Sequence, residues 1–129
     1  MNKKKRRLAV VLAAVTGSAV LVLSGCSGKS EQTEKTLRVG VITYSQDDPF
    51  INGLTDELKV QLKAMENKQR RIIVSTKSGN DDQQEQNEKV EEMIDAGCDV
   101  LCINLVDRTA PSRIVRMARN EDIPVIFFI

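Results

Sequence analysis

The sequence predicts an α/β domain: an open parallel sheet with helices on both faces. From residue 37 onward, three short runs rich in β-branched residues alternate with three longer stretches, and a fourth such run follows. In the longer stretches apolar residues recur every three or four positions, the spacing of one helical face. The connections are of ordinary length, and such alternation folds as parallel strands joined by crossover helices. The expected strand order is 2-1-3-4.

The elements follow in order. Leu37–Tyr44 reads as a mostly buried first strand, and the polar loop Ser45–Asp48 leads to Pro49, which suits the first turn of a helix. Ile51, Leu54, Leu58, Leu62 and Met65 form the expected inner stripe of that helix, which Asn67–Arg71 ends. Ile72–Ser75 is a short second strand, and Ser78–Asp82 is a turn-forming cluster. Asp82 and Glu85 have the spacing of a capping box for a second helix, with Val90, Met93 and Ile94 inward and Ala96-Gly97 as its stop. Val100–Ile103 is the third strand, and Asn104–Arg108 loops into a third helix with Thr109 as cap and Pro111 in its first turn. Ile114, Val115, Met117 and Ala118 supply the buried side of that helix. Asp122-Ile123-Pro124 breaks it, and Val125–Ile129 opens a fourth strand.

Ahead of this body stands a leader. Lys3, Lys4, Lys5, Arg6 and Arg7 precede the apolar run Leu8–Leu23, which ends in small residues, the pattern of a secretory signal. Leu23-Ser24-Gly25-Cys26 resembles the lipobox of bacterial lipoproteins, in which the Cys thiol is acylated and the leader is cut just before it. Two acyl chains suffice for stable anchoring. Ser27–Lys35 is polar and aperiodic and reads as a tether. The expected divisions are a signal peptide over 1–25, a tether over 26–36 and a partial domain over 37–129, anchored by lipid to the extracytoplasmic face of the membrane.

Composition narrows the function. Among the 129 residues, 19 basic and 18 acidic residues nearly cancel, and without the leader's basic block the chain is net acidic, which argues against a nucleic-acid partner. With no Trp and a single Tyr there is no platform for stacking bases, and with no His the commonest general base and metal ligand is missing. Cys98 and Cys102 read as small core residues.

Ligands of such sheets gather outside the carboxyl ends of the strands. That singles out Tyr44, Ser45, Gln46, Asp47, Asp48 and Phe50 after strand 1, Thr76–Asp82 after strand 2, and Asn104 and Asp107 after strand 3. A carboxylate beside an aromatic ring suits a sugar, whose hydroxyls donate to the one and whose C–H face packs on the other. From pattern alone, Asp48 and Phe50 fit that role as well as they fit a helix cap and a core residue. A phosphate cradle does not fit, because the first loop has two acids and no glycine.

At these residues the chain is similar to a known family. Arg38–Tyr44, Asp47–Phe50, Cys102–Asp107 and Ile123–Phe128 resemble the galactose/glucose-binding proteins of ABC sugar importers, members of the type I periplasmic-binding-protein superfamily. The resemblance implies an incomplete N-terminal lobe in which Asp48 binds sugar hydroxyls, Phe50 stacks on the sugar and Tyr44 lines the same cleft. The family's next sugar-binding Asn falls at Ile129, and its calcium loop lies in sequence that this chain does not contain, so no metal site and no cofactor are expected. The implied function is a solute-binding lipoprotein that delivers galactose or glucose to ABC permease and ATPase subunits, with no bond broken. Binding by this length of chain alone is expected to be weak or nil. The alternative is an extracytoplasmic sensor feeding a membrane kinase or chemoreceptor. An enzyme is disfavoured, since adjacent Asp47 and Asp48 diverge too much to flank one scissile bond. A DNA-binding repressor would need an N-terminal helix-turn-helix, where this chain has an export leader.

Overall fold

A computed structural model of the protein describes residues 34–129. The leader, Cys26 and the tether up to residue 33 lie outside the described residues. Strands and helices alternate as β1 (Lys35–Thr43), α1 (Pro49–Ala64), β2 (Arg70–Ser78), α2 (Gln83–Asp95), β3 (Val100–Ile103), α3 (Ser112–Asn120) and β4 (Val125–Phe127). All strand pairs are parallel, and the order β2-β1-β3-β4 is the one that the alternation predicts.

Pairing, rather than composition, sets the strand lengths. β1 begins at Lys35, two residues before the expected start, because Lys35 and Thr36 pair with Arg70 and Arg71. β2 is correspondingly longer than Ile72–Ser75. All nine of its residues are in register with β1, so the ladder carries Arg, Lys and Ser that have little strand preference of their own. β4 is shorter than expected and stops at Phe127, although the amide of Phe128 still donates to the Ile103 carbonyl at 3.0 Å.

Alternation along the strands divides the core in two. Val39, Val41, Ile72 and Cys102 face α1 and pack with its Leu58 and Leu62. Ile42, Leu101 and Ile103 face the other way, into a cluster completed by Val90 and Met93 of α2 and Ile114 and Ala118 of α3. Gly40 lies on this second side, and a Cβ there would stand 2.8 Å from Cδ2 of Leu101 and 3.1 Å from Sγ of Cys98. The missing side chain is what lets β1 pack so close to its neighbours. The two free thiols are buried in different clusters, Cys98 on the α2 side and Cys102 on the α1 side.

Three local readings change. The inner side of α1 runs through Ile51, Thr55, Leu58 and Leu62, while Leu54 and Met65 are exposed, at 39% and 55%. The helix lies over β1 and β2 with only one narrow stripe down, so the flanks of its apolar surface meet nothing. Thr109 does not cap α3. Its amide and hydroxyl both donate to Oδ1 of Asp107, at 2.8 and 2.6 Å, and this tight Asp turn holds it in the loop. The helix starts three residues later, behind Pro111, with no side-chain cap. The capping box of α2 is half made: Asp82 accepts from the Glu85 amide at 2.7 Å, but the Glu85 carboxylate takes the Asn80 amide group instead. Gly97, at φ +80°, follows the Ala96 C-cap as expected.

Candidate functional site

The residues after β1 form a compact cluster at the strand's carboxyl end. Asp48 is the N-cap of α1, and its Oδ1 accepts from the amides of Phe50 and Ile51 at 2.8 and 3.1 Å. Its Oδ2 accepts the Tyr44 hydroxyl at 2.5 Å. A carboxylate offers about four acceptor positions, and three of them are engaged by these bonds. The Tyr44 hydroxyl donates to Asp48 and keeps its own lone pairs free. That hydrogen bond, followed by the two backbone amides, holds the Asp48 carboxyl below the usual carboxylate range. The same bond, helped by burial and the Asp48 charge, pushes the Tyr44 phenol up. Both shifts favour one protonation state, carboxylate with neutral phenol.

Phe50 is 72% exposed and belongs to neither core cluster. The two readings of the pair therefore resolve differently. Asp48 is the helix cap and can still accept from a ligand, whereas Phe50 is not a core residue. Pro49 and Phe50 open the helix, and the bond from the Phe50 amide to the Asp48 carboxylate puts this exposed residue next to the cap at the strand tip.

Neighbouring loops are stitched to this rim. Ser45 is buried and donates from Oγ to Asp81 at 3.0 Å. The amides of Gly79 and Asp81 donate to the carbonyls of Thr43 and Tyr44, each at 2.8 Å. Asn80 and Asp81 adopt left-handed backbone conformations, at φ 48° and 62°, to make that approach. Of the candidates after β3, Asn104 is buried and both ends of its amide are in use: Oδ1 accepts from the Tyr44 amide at 3.3 Å and Nδ2 donates to the Phe128 carbonyl at 3.1 Å. It ties the tips of three strands together rather than facing a ligand. Asp107 is occupied by Thr109, which holds its carboxyl below the ordinary range.

Gln86 is the residue that sequence reading missed. It is wholly buried; Nε2 donates to the Asn104 carbonyl at 2.8 Å, and Oε1 accepts from the Val106 amide at 3.1 Å. A signal existed, because Gln86, Val90 and Met93 share one helical stripe and a polar residue there needs partners. A groove of about 490 Å³ between α1 and β2 is lined by Thr43, Gln46, Asn52 and Thr55 among others and includes none of Tyr44, Asp48 and Phe50. An exposed ring beside a preorganised carboxylate is the stronger indication of a binding site, because it supplies both contacts that a sugar needs.

A family model, described as the periplasmic binding protein domain, matches residues 39–129. The chain belongs to this family. Within it, the D-galactose/methyl-galactoside binding periplasmic protein of Haemophilus influenzae is 32% identical over 91 residues, which are 70% of this chain and 26% of that protein. An ABC transporter solute binding protein from Mycobacterium smegmatis, solved with bound glycerol, aligns with a TM-score of 0.61 at 28% identity over 72% of this chain and 31% of that one. The fructose binding periplasmic domain of a hybrid two-component system aligns with a TM-score of 0.61 at 31% identity, over 70% and 29% of the two chains. The periplasmic binding domain described here thus spans between a quarter and a third of the length of these relatives.

Proposed function

We propose that this chain is the sugar-holding N-terminal part of a solute-binding lipoprotein, lipidated at Cys26, that delivers galactose or glucose to the permease and ATPase subunits of an ABC importer. The observation that carries the reading is the pairing of an exposed Phe50 ring with a carboxylate, Asp48, oriented by Tyr44 at the tip of β1. Family membership supports an extracytoplasmic body, and the galactose-binding relative supports a hexose. The site holds and releases its ligand without bond chemistry, since the adjacent Asp47 and Asp48 diverge too much to flank one scissile bond.

Binding to this chain alone is weak, because the rim supplies one side of a site. Saturation-transfer NMR with galactose and glucose is the suitable measurement. The expected result is transfer to the sugar's C–H face that falls roughly two- to tenfold in Phe50→Ala, the contribution of an aromatic contact, and that also falls in Asp48→Asn. Transfer that is absent, or indifferent to Phe50→Ala, sinks the reading.

A sensor is the second reading, supported by the structural likeness to a domain of a two-component system. The two share their ligand chemistry, so the partner decides. Cross-linking in membranes should capture an importer permease; capture of a kinase or chemoreceptor would establish the sensor.

A further inference from the structure

α3 carries Arg113, Arg116 and Arg119 at intervals of three, all exposed, and no acidic residue. Each step of three falls about 60° short of a full turn, so the guanidinium groups line the outer side of a helix whose inner side is Ile114 and Ala118. The four ion pairs among the described residues all use lysines, and none involves these arginines. α2 packs beside α3 and carries Glu88, Glu91, Glu92 and Asp95, yet Glu92 pairs with Lys77 and Lys89 and no carboxylate of α2 pairs across to α3. Glu121 and Asp122 follow the helix, and Asp107 ahead of it is taken by Thr109.

Helix stability does not account for this row. Arg119 in the last turn suits the helix dipole, but Arg113 stands in the first turn, where a cation is disfavoured, and no side chain caps that end. A local preference broken without compensation marks a functional surface.

We infer that this arginine row docks on the headgroups of an anionic phospholipid bilayer. The inference rests on lipidation at Cys26, part of the function proposed above. Eight residues separate Cys26 from Lys35, and nine residue steps reach at most about 32 Å whatever their conformation. The body's own radius of gyration is about 13 Å. A domain anchored at Cys26 is therefore kept near the headgroups, and guanidinium groups bind phosphate oxygens in pairs of hydrogen bonds. An acidic surface on an importer subunit would meet the same charge, and protection that requires such subunits is the opposing outcome of the test.

The test uses the full lipid-modified chain in vesicles of phosphatidylcholine alone or with phosphatidylglycerol. Arginines are footprinted with a neutral dicarbonyl reagent and read by peptide mass spectrometry, with the exposed Arg108, in the loop after β3 at the opposite end of the strands from Lys35, as reference. Relative to it, Arg113, Arg116 and Arg119 should react at least about fivefold more slowly in the anionic vesicles, the effect of roughly one near-surface cation. High salt should restore their reactivity, and so should the pair R113Q/R116Q at Arg119. Equal reactivity in both vesicle types overturns the docking, as does protection that appears only when importer subunits are added. A mature chain whose Cys26 carries no lipid by mass sinks the anchor and the docking together. A lipidated chain with unprotected arginines sinks only the docking.

Discussion

The two faces of the sheet are built to different standards. Against α2 and α3, Ile42, Val90, Leu101, Ile103 and Ile114 are all wholly buried. Against α1 the cover runs out: Val41 is wholly buried, but Ile126, which continues the same row through Cys102 into β4, is 56% exposed. Four strands at about 4.8 Å make a surface roughly 19 Å wide, and one helix about 10 Å in diameter covers half of it. Two helices cover the second face; a single helix leaves β4 bare on the first. The difference teaches that the hydrophobic stability of these residues is concentrated on the α2/α3 side, while the binding rim is organised chiefly by hydrogen bonds at the strand tips.

The comparison can be broken most easily with paired deletions. Leu101→Ala should lower the free energy of unfolding by about 2–5 kcal/mol, whereas Ile126→Ala should cost less than about 1 kcal/mol, both measured by urea denaturation. Similar losses for the two would mean that the faces contribute equally. Gln86→Ala comes next. It leaves the Asn104 carbonyl and the Val106 amide without partners, at a cost of about 1–3 kcal/mol, and hydrogen exchange should quicken at Val106 and Asp107 before it does in β1.

The smallest effect concerns the rim. Tyr44 is the chain's single tyrosine, so absorbance titration reads it alone. It should ionise above the ordinary phenol value of about 10 and move back toward that value in Asp48→Asn, which removes the charge and weakens the acceptor. The signs follow from the two shifts. Tyr44, raised in the folded state, contributes stability below the ordinary phenol pKa that is lost as pH rises through its folded value. Asp48, lowered, contributes above the ordinary carboxyl pKa of about 3.9 and is lost as pH falls through its folded value. Between those limits the rim's hydrogen bonds hold unchanged. A Tyr44 that titrates identically in Asp48→Asn would remove the bond from the account of the site.

Strands, helices and their order were legible because each rests on a local signal: β-branched runs, a three-and-four periodicity, Pro49, Gly97. Asp48 and Phe50 were legible as candidates because topology alone puts the end of β1 at the ligand side. What could not be read was how many neighbours each element has. Leu54 and Met65 share the apolar periodicity of α1 with Leu58 and Leu62, and only the width of the covered sheet separates exposed from buried. The β2 boundaries were hidden for a similar reason, since Arg70, Lys77 and Ser78 are in a strand only because β1 pairs with them. Asn104 looked like a ligand contact from its place after β3. Its partners, the Tyr44 amide and the Phe128 carbonyl, are distant in sequence. Thr109 has the right residue type for a cap, but a carboxylate two positions earlier captured it.

The division of the two thiols between opposite sides of the sheet also keeps them from forming disulfides while the domain is folded. Cys98 and Cys102 are walled off from each other by the backbone itself, and burial raises both thiols' pKa, which keeps them in the unreactive protonated form. Only chains that have lost this fold can bring the sulfurs to other sulfurs. Disulfide-linked multimers joined through these positions would therefore be a chemical record of unfolding, legible on a non-reducing gel after the native population has recovered.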